Sequence, residues 1–304
     1  MDRRKFLKYS SLGGTLLSTG SFSWKHMYDH DLTRLTILHT NDVHSHIDPF
    51  PMDGSRNEGA GGVSKRSALI NTIRNREQHV LLLDAGDIFQ GTPYFNFYEG
   101  EIEMKVMSEM GYDAATIGNH DFDSGIDNLK KQLDHASFPL IIGNYDFKNT
   151  SMNGHTSPYI IKNYGDIKVG ITGVGIELNG LVPKPLYKET VYSDPIAASS
   201  KWASHLKNEE KCDYVICISH LGYKYRGNRV SDVVMAKEST DIDLIIGGHT
   251  HTFMYEPHIE KNKQGKEVIV TQAGWAGIML GRLDILFERG DKNKCISCKN
   301  TLIK

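Results

Sequence analysis

The stretch Leu35-Thr-Ile-Leu-His-Thr-Asn-Asp-Val-His44 sets the reading of the whole chain. Its first part, Arg34–His39, reads as a strand in which Leu35 and Ile37 alternate with Thr36 and Leu38. Its end carries a carboxylate and an imidazole, Asp42 and His44, with one residue between them. The same grammar returns downstream. The continuous apolar run Val80–Leu83, as expected for a strand covered on both faces, leads into Asp84-Ala-Gly-Asp87. Ala114–Ile117 leads into Gly118-Asn-His-Asp-Phe-Asp123, Tyr214–Ile218 into Ser219-His220, and Leu244–Ile246 into Gly247-Gly-His-Thr-His251.

Further strand candidates are Leu140–Ile142, Ile167–Val174, Val268–Thr271 and Ile278–Phe287. Helical periodicity falls between them, over Val63–Arg76, Glu101–Met110, Gly125–Ala136, Pro195–Lys207 and Val230–Lys237. Strands alternating with helices imply an α/β domain, here one domain from about Leu32 to about residue 290. Asp53-Gly54 and Gly59 to Gly62 make Pro49–Gly62 a surface loop, and Asn179–Thr190 is a second long loop. In an α/β sheet the carboxyl ends of the strands share an edge where ligands bind, so the polar clusters converge there.

The chemistry follows from the residue types. Imidazole and carboxylate without thiolate suit divalent Zn, Mn, Fe or Co. Asp-x-His and His-x-His on an extended strand end present two ligands to the same side. A carboxylate following a glycine, as at Gly86-Asp87, approaches closely enough to bridge two ions. Two ions about 3.5–4 Å apart clamp the attacking and leaving oxygens of a phosphoryl transfer. Each segment alone also reads as an ordinary turn or a satisfied core histidine; their common placement after strands makes the site.

The rest of the sequence sets bounds. The chain has 304 residues, 39% hydrophobic and 24% charged, with net charge −2, so no overall field points to a nucleic acid duplex or a membrane surface. The N-terminus pairs Arg3 and Arg4 ahead of Phe6-Leu7-Lys8 and a Ser/Gly/Leu-rich stretch to about Trp24. It resembles a twin-arginine export signal over residues 1–30, with export to the periplasm or beyond and no stable membrane anchor. Of four cysteines, Cys217 reads as a small core residue. Cys212 and Cys217, if both in one strand, face opposite sides. Cys295 and Cys298 lack a second ligand pair and are read as structural or incidental. Residues 291–304 read as a short Lys-rich tail.

Taken together, the segments at Asp42, Asp87, Asn119, His220 and His249 resemble the calcineurin-like metallophosphoesterase superfamily. Leu38-His-Thr-Asn-Asp-Val-His44, Gly86-Asp-Ile-Phe-Gln-Gly-Thr-Pro93 and Gly118-Asn-His-Asp-Phe-Asp123 are similar to its 5′-nucleotidase branch. The likeness extends from about Leu35 to Arg282. It implies two packed mixed β-sheets flanked by helices in a four-layer αββα arrangement. It implies two metal ions, with Asp42, His44, Asp87 and His251 on the first and Asp87, Asn119, His220 and His249 on the second. It implies His120 beside the leaving-group oxygen, oriented by Asp123. Some members of that branch carry Gln at the position of His251.

The resemblance further implies a phosphate ester substrate, a nucleotide, cyclic nucleotide or nucleotide sugar. Full-length members carry a C-terminal domain that grips the nucleobase between aromatic rings. No such domain is expected within this chain, so either a separate protein supplies it or loops such as Pro49–Gly62 and Asn179–Thr190 shape a different pocket. Tyr94, Phe95, Phe97 and Tyr98 either pack on a helix face or contact substrate or a partner. Two alternatives stand beside phosphate hydrolysis: an exported sulfur-ester hydrolase using the same ions, and an inactive metal-stabilised binding protein.

Overall fold

The computed structural model describes residues 32–227, 229–288, 291–298 and 300–303. The export signal read at residues 1–30 lies outside the described residues, as do the side chains of Cys295 and Cys298. Along the chain the strands are β1 (Leu32–Thr40), β2 (Val80–Asp84), β3 (Ala114–Ala115), β4 (Leu140–Ile141), β5 (Tyr145–Asp146), β6 (Thr156–Ser157), β7 (Tyr159–Tyr164) and β8 (Ile167–Gly175). They continue with β9 (Val191–Tyr192), β10 (Tyr214–His220), β11 (Leu244–Gly247), β12 (His258–Lys261), β13 (Glu267–Thr271), β14 (Met279–Glu288), β15 (Asp291–Cys298) and β16 (Thr301–Leu302). The α-helices are α1 (Val63–Arg74), α2 (Pro93–Tyr98), α3 (Glu101–Glu109), α4 (Ile126–Gln132), α5 (Lys184–Tyr187), α6 (Pro195–Asn208) and α7 (Asp232–Glu238).

These strands build two large mixed sheets. One runs β15-β14-β1-β2-β3-β4-β6, with β16 also paired to β14; the other runs β12-β13-β11-β10-β8-β7. Within the first, β1, β2, β3, β4 and β6 are parallel and β14 runs antiparallel to β1. Within the second, β8, β10, β11 and β13 are parallel. The alternation of side chains explains how the sheets stack. Leu81 and Leu83 of β2, and Ile216 and Ile218 of β10, meet in one core between the sheets. Leu82 turns the other way, into a core with Ile70 of α1 and Met104 of α3. Val215 and Cys217 turn outward to meet Ala203 and Leu206 of α6 and Met235 of α7. Helices therefore cover both outer faces, and the four-layer αββα arrangement is the one observed.

Burying each such Leu or Ile contributes about 1.5–3 kcal/mol, and a one-residue slip would exchange the two faces, so register is strongly set. Local signals fix the helix starts. Pro195 opens α6 while the Asp194 carboxylate accepts from the amides of Ile196 and Ala197. Ser231 caps α7 through the amide of Val234.

Several expectations change. Cys212 precedes β10, so it does not alternate with Cys217; both are buried free thiols in the same outer core. The tail beyond residue 290 continues the first sheet as β15 and β16, and Ile303 is buried in the core beside Leu280. The loop Asn179–Thr190 contains α5, and Pro49–Gly62 is an exposed loop as read. The aromatic cluster forms α2 and divides: Phe95 is buried against Phe89, whereas Phe97 and Tyr98 are exposed. Among the described residues, no helix is long and apolar enough to cross a membrane.

Candidate metal centre

The carboxyl ends of β1 and β2, together with the loop beyond β3, meet those of β10 and β11 across the stack. Asp42 and His44 follow β1, Asp87 follows β2, and Asn119, His120 and Asp123 follow β3. His220 ends β10, and His249 and His251 follow β11. All nine side chains read from sequence thus reach one region, drawn from two sheets instead of one edge.

Their geometry forms two groups. Asp42, His44 and His251 bring their ligand atoms within 4.8 Å of one another, as do Asp87, His220 and His249. In the first, His44 Nε2 and His251 Nε2 are 3.1 Å apart, and His251 Nε2 lies 3.3 Å from Asp42 Oδ1. In the second, His220 Nε2 lies 3.0 Å from Asp87 Oδ2. The groups adjoin: Asp87 Oδ2 is 3.8 Å from His44 Nε2, and Asp42 Oδ1 is 4.0 Å from His220 Nε2. Asn119 Oδ1 joins the second group at 2.8 Å from His249 Nδ1.

The local backbone differs from the extended strand ends expected. Asp42, His44, Asp87, His249 and His251 all have φ between 49° and 70°, a region costly for residues with a Cβ. The ligands are presented by tight left-handed turns, which the surrounding hydrogen bonds hold in place. Gly118 shows why glycine recurs here: a Cβ there would sit 2.1 Å from Asp87 Oδ1.

Residues to which the sequence reading assigned no role make these turns rigid. The Asp121 carboxylate accepts from the amides of Asp87, Ile88, Phe89 and Gly118, tying two ligand loops together. Burial and the adjacent Asp87 push its carboxyl up to about 7, while those amides favour the charged form. Asn41 donates to Asp42 Oδ2 and to the Gly274 carbonyl, and accepts from Ala273 N. Gln272 donates to the Gly248 carbonyl and accepts from Thr252 N, bracketing His249 and His251. The only sequence signal for Asn41 and Asp121 is adjacency to ligands; Gln272 carries none.

The charge balance of the centre suits cations. Asp42 and Asp87 are buried together with His220. Burial opposes a charge on the His220 imidazole, yet Asp87 and Asp42 push it up to about 10. His220 Nε2 is buried beside these carboxylates and makes no aligned hydrogen bond among the described residues, so a cation bound there would take the place of its proton. His249 is held down to about 4 by burial and by His220, keeping its ring neutral as a ligand requires. The Nδ1 atoms of His44 and His220 face the carbonyls of Phe89, at 3.1 Å, and Ala85, at 2.7 Å, leaving Nε2 to point inward.

His120 stands at the rim, its ring 5.2 Å from that of His44. Its amide donates to Asp87 Oδ1, and its Nδ1 lies 2.8 Å from Asp123 Oδ2. The hydrogen bond to Asp123 raises its pKa above the ordinary value, against the effect of partial burial.

Comparison with known proteins agrees with this architecture. The family model described as calcineurin-like phosphoesterase matches residues 35–253. The snake venom 5′-nucleotidase of Gloydius brevicauda is 35% identical over 283 residues, covering 86% of this chain and 46% of its own length. The 5′-nucleotidase of Bos taurus is 34% identical, over 84% of this chain and 46% of its own. The solved 5′-nucleotidase precursor of Thermus thermophilus superposes with a TM-score of 0.80 at 30% identity, over 89% of this chain and 55% of that one. The chain thus spans about half the length of these relatives, and it belongs to the calcineurin-like phosphoesterase family.

Proposed function

We propose that the chain is a dimetal phosphoric ester hydrolase acting on nucleotides, a 5′-nucleotidase or a related nucleotide phosphohydrolase. One observation carries the reading: His120, held by Asp123, donates its amide to the Asp87 carboxylate that adjoins both ligand groups. A site that merely stored metal would not need an oriented imidazole at its rim. In this reading Asp42, His44, Asp87 and His251 would hold one cation, and Asp87, Asn119, His220 and His249 the other, Asp87 being the residue shared by both sets. Bound there, such cations would supply Lewis acidity toward water and the phosphoryl oxygens.

The protein's own groups do the rest. Asp123 accepts a hydrogen bond from Nδ1–H of His120, which fixes the ring and leaves Nε2 for the substrate. The raised pKa keeps a share of His120 protonated near neutrality. His120 then delivers the Nε2 proton to the departing alkoxide oxygen. Asp121, Asn41 and Gln272 keep the ligand turns from relaxing as charge moves.

The reading extends to substrate choice and location. A separate protein carrying a substrate-binding domain is proposed to grip the rest of the nucleotide, and size-exclusion chromatography of the chain alone and with that protein tests it. Export through the residue 1–30 signal to the periplasm or beyond belongs to the same reading, and mutating Arg3 and Arg4 to Lys in a reporter fusion tests it.

The central experiment reconstitutes the protein with Zn, Mn, Fe or Co and measures phosphate release from nucleoside monophosphates, cyclic nucleotides and nucleotide sugars, with sulfur esters as the contrasting class. Nucleoside monophosphates are expected to turn over. His120→Ala should lower kcat by on the order of 10² while retaining metal. Two bound ions with no turnover of any substrate would replace the enzyme reading with a binding protein.

A further inference from the structure

The histidines of the candidate centre are not steadied alike. His44 and His220 each have a carbonyl on Nδ1. His251, whose side chain is 40% exposed, contacts His44 and Asp42 through Nε2, and no hydrogen bond to its Nδ1 is found among the described residues. What it has instead is a parallel aromatic face. The indole of Trp275 lies 5.8 Å from its ring centroid with only 7° between the planes. That is offset stacking at the separation where ring pairs attract.

Trp275 is itself firmly held. It lies between Gly274 at φ 72° and Ala276 at φ 55°, a backbone path that few sequences adopt without external support. Gly274 N donates to Thr252 O, and Ala276 N donates to Asp42 O, so the turn is fastened to the residue after His251 and to a predicted ligand of the same group. His46 and Phe50 meet the indole edge-on at 5.3 and 5.8 Å. The ring therefore has little freedom to turn away from His251.

We propose that Trp275 is a positioning residue for the first metal group: its indole sets the plane of His251 in place of the hydrogen bond that the other imidazoles receive. The inference rests on the dimetal reading, and it singles out one ion of the two. Loss of the stack frees the most exposed of the ligands, so the first group should weaken while Asp87, His220 and His249 keep their ion. Phe at this position preserves an aromatic face and should preserve most of the effect.

The test is metal binding, read without turnover. The chelator-stripped full chain and its Trp275→Ala and Trp275→Phe variants are dialysed against graded Zn, and bound ions are counted. Trp275→Ala is expected to lose affinity for one ion by about tenfold or more while the other is unchanged, with Trp275→Phe close to wild type. Indole emission gives a second readout. In a Trp24→Phe background, Co should quench a component of the fluorescence that Trp275→Phe lacks, because Trp202 packs on Tyr159 and His205 instead of on a ligand. Unchanged affinity for both ions in Trp275→Ala overturns the proposal. So does equal loss of both ions with a lowered Tm that Trp275→Phe fails to restore. Absence of ions in the wild type would instead overturn the dimetal reading beneath it.

Discussion

Between His120 Nδ1 and Asp123 Oδ2 lie 2.8 Å, and this contact raises the proton affinity of the imidazole. With Asp123 ionised, the imidazolium persists to higher pH than it would alone. Asp123→Asn removes the charge and keeps the shape, so the basic limb of the kcat profile should move to lower pH. Metal content should stay at the wild-type level, since neither residue belongs to a ligand group. A basic limb that stays in place would remove His120 from the role of proton donor. The candidate metal ligands were legible because such ligands come from a short list of side chains, placed where strands end. Asn41, Asp121 and Gln272 were not, because they grip backbone amides and carbonyls. Such contacts leave no spacing pattern in a sequence. Trp275 was silent for the same reason: stacking on His251 joins residues with no shared motif.

At the scale of elements, β2, β10 and β11 were readable because each is buried and apolar at most positions, and β1 because Leu35 and Ile37 alternate with Thr36. The short strands β5, β6 and β9 hold two residues each and carry no period to read. The polar sequence of β15 reads as a tail, yet its backbone occupies the outer position of its sheet. What no periodicity showed was the left-handed path of the turns after β1, β2 and β11. The turn after β11 depends on Gln272, whose amide satisfies Gly248 O and Thr252 N in a buried setting. Gln272→Leu leaves the Thr252 amide unpaired and Gly248 O with only the Thr250 amide as donor, and should cost about 2 kcal/mol. Because His249 and His251 belong to different groups, the variant should weaken both ions together, in contrast to Trp275→Ala. Thermal melts with and without Zn check both effects, and a variant with wild-type stability and affinity would show that the turn holds itself.

At the scale of the whole molecule, the two sheets concentrate buried acids at one end of their shared core. Asp42, Asp84, Asp87, Asp121 and Asp232 are all buried. Burial, the largest cause at each, pushes the carboxyls of Asp84, Asp121 and Asp232 up to about 7. Each of these groups binds protons more tightly folded than unfolded, where its pKa is near 3.8. The stability they contribute therefore falls as pH rises from about 4 to about 7, and the metal-free protein is under strain above neutrality. Cations at the adjoining groups relieve that strain by favouring the ionised carboxylates, so their binding releases protons and tightens with rising pH. At a concentration a hundredfold above Kd, each ion adds about 2.7 kcal/mol, and two should raise Tm by about 10 °C at pH 7.5. The increment should shrink steadily as pH falls from 7.5 to 5.5, where protons take the place of part of the cationic charge. Calorimetric scans of stripped and Zn-loaded protein across that range measure it directly. An increment that is absent, or that does not vary with pH, would mean that the buried carboxylates and the metal groups are not one electrostatic unit.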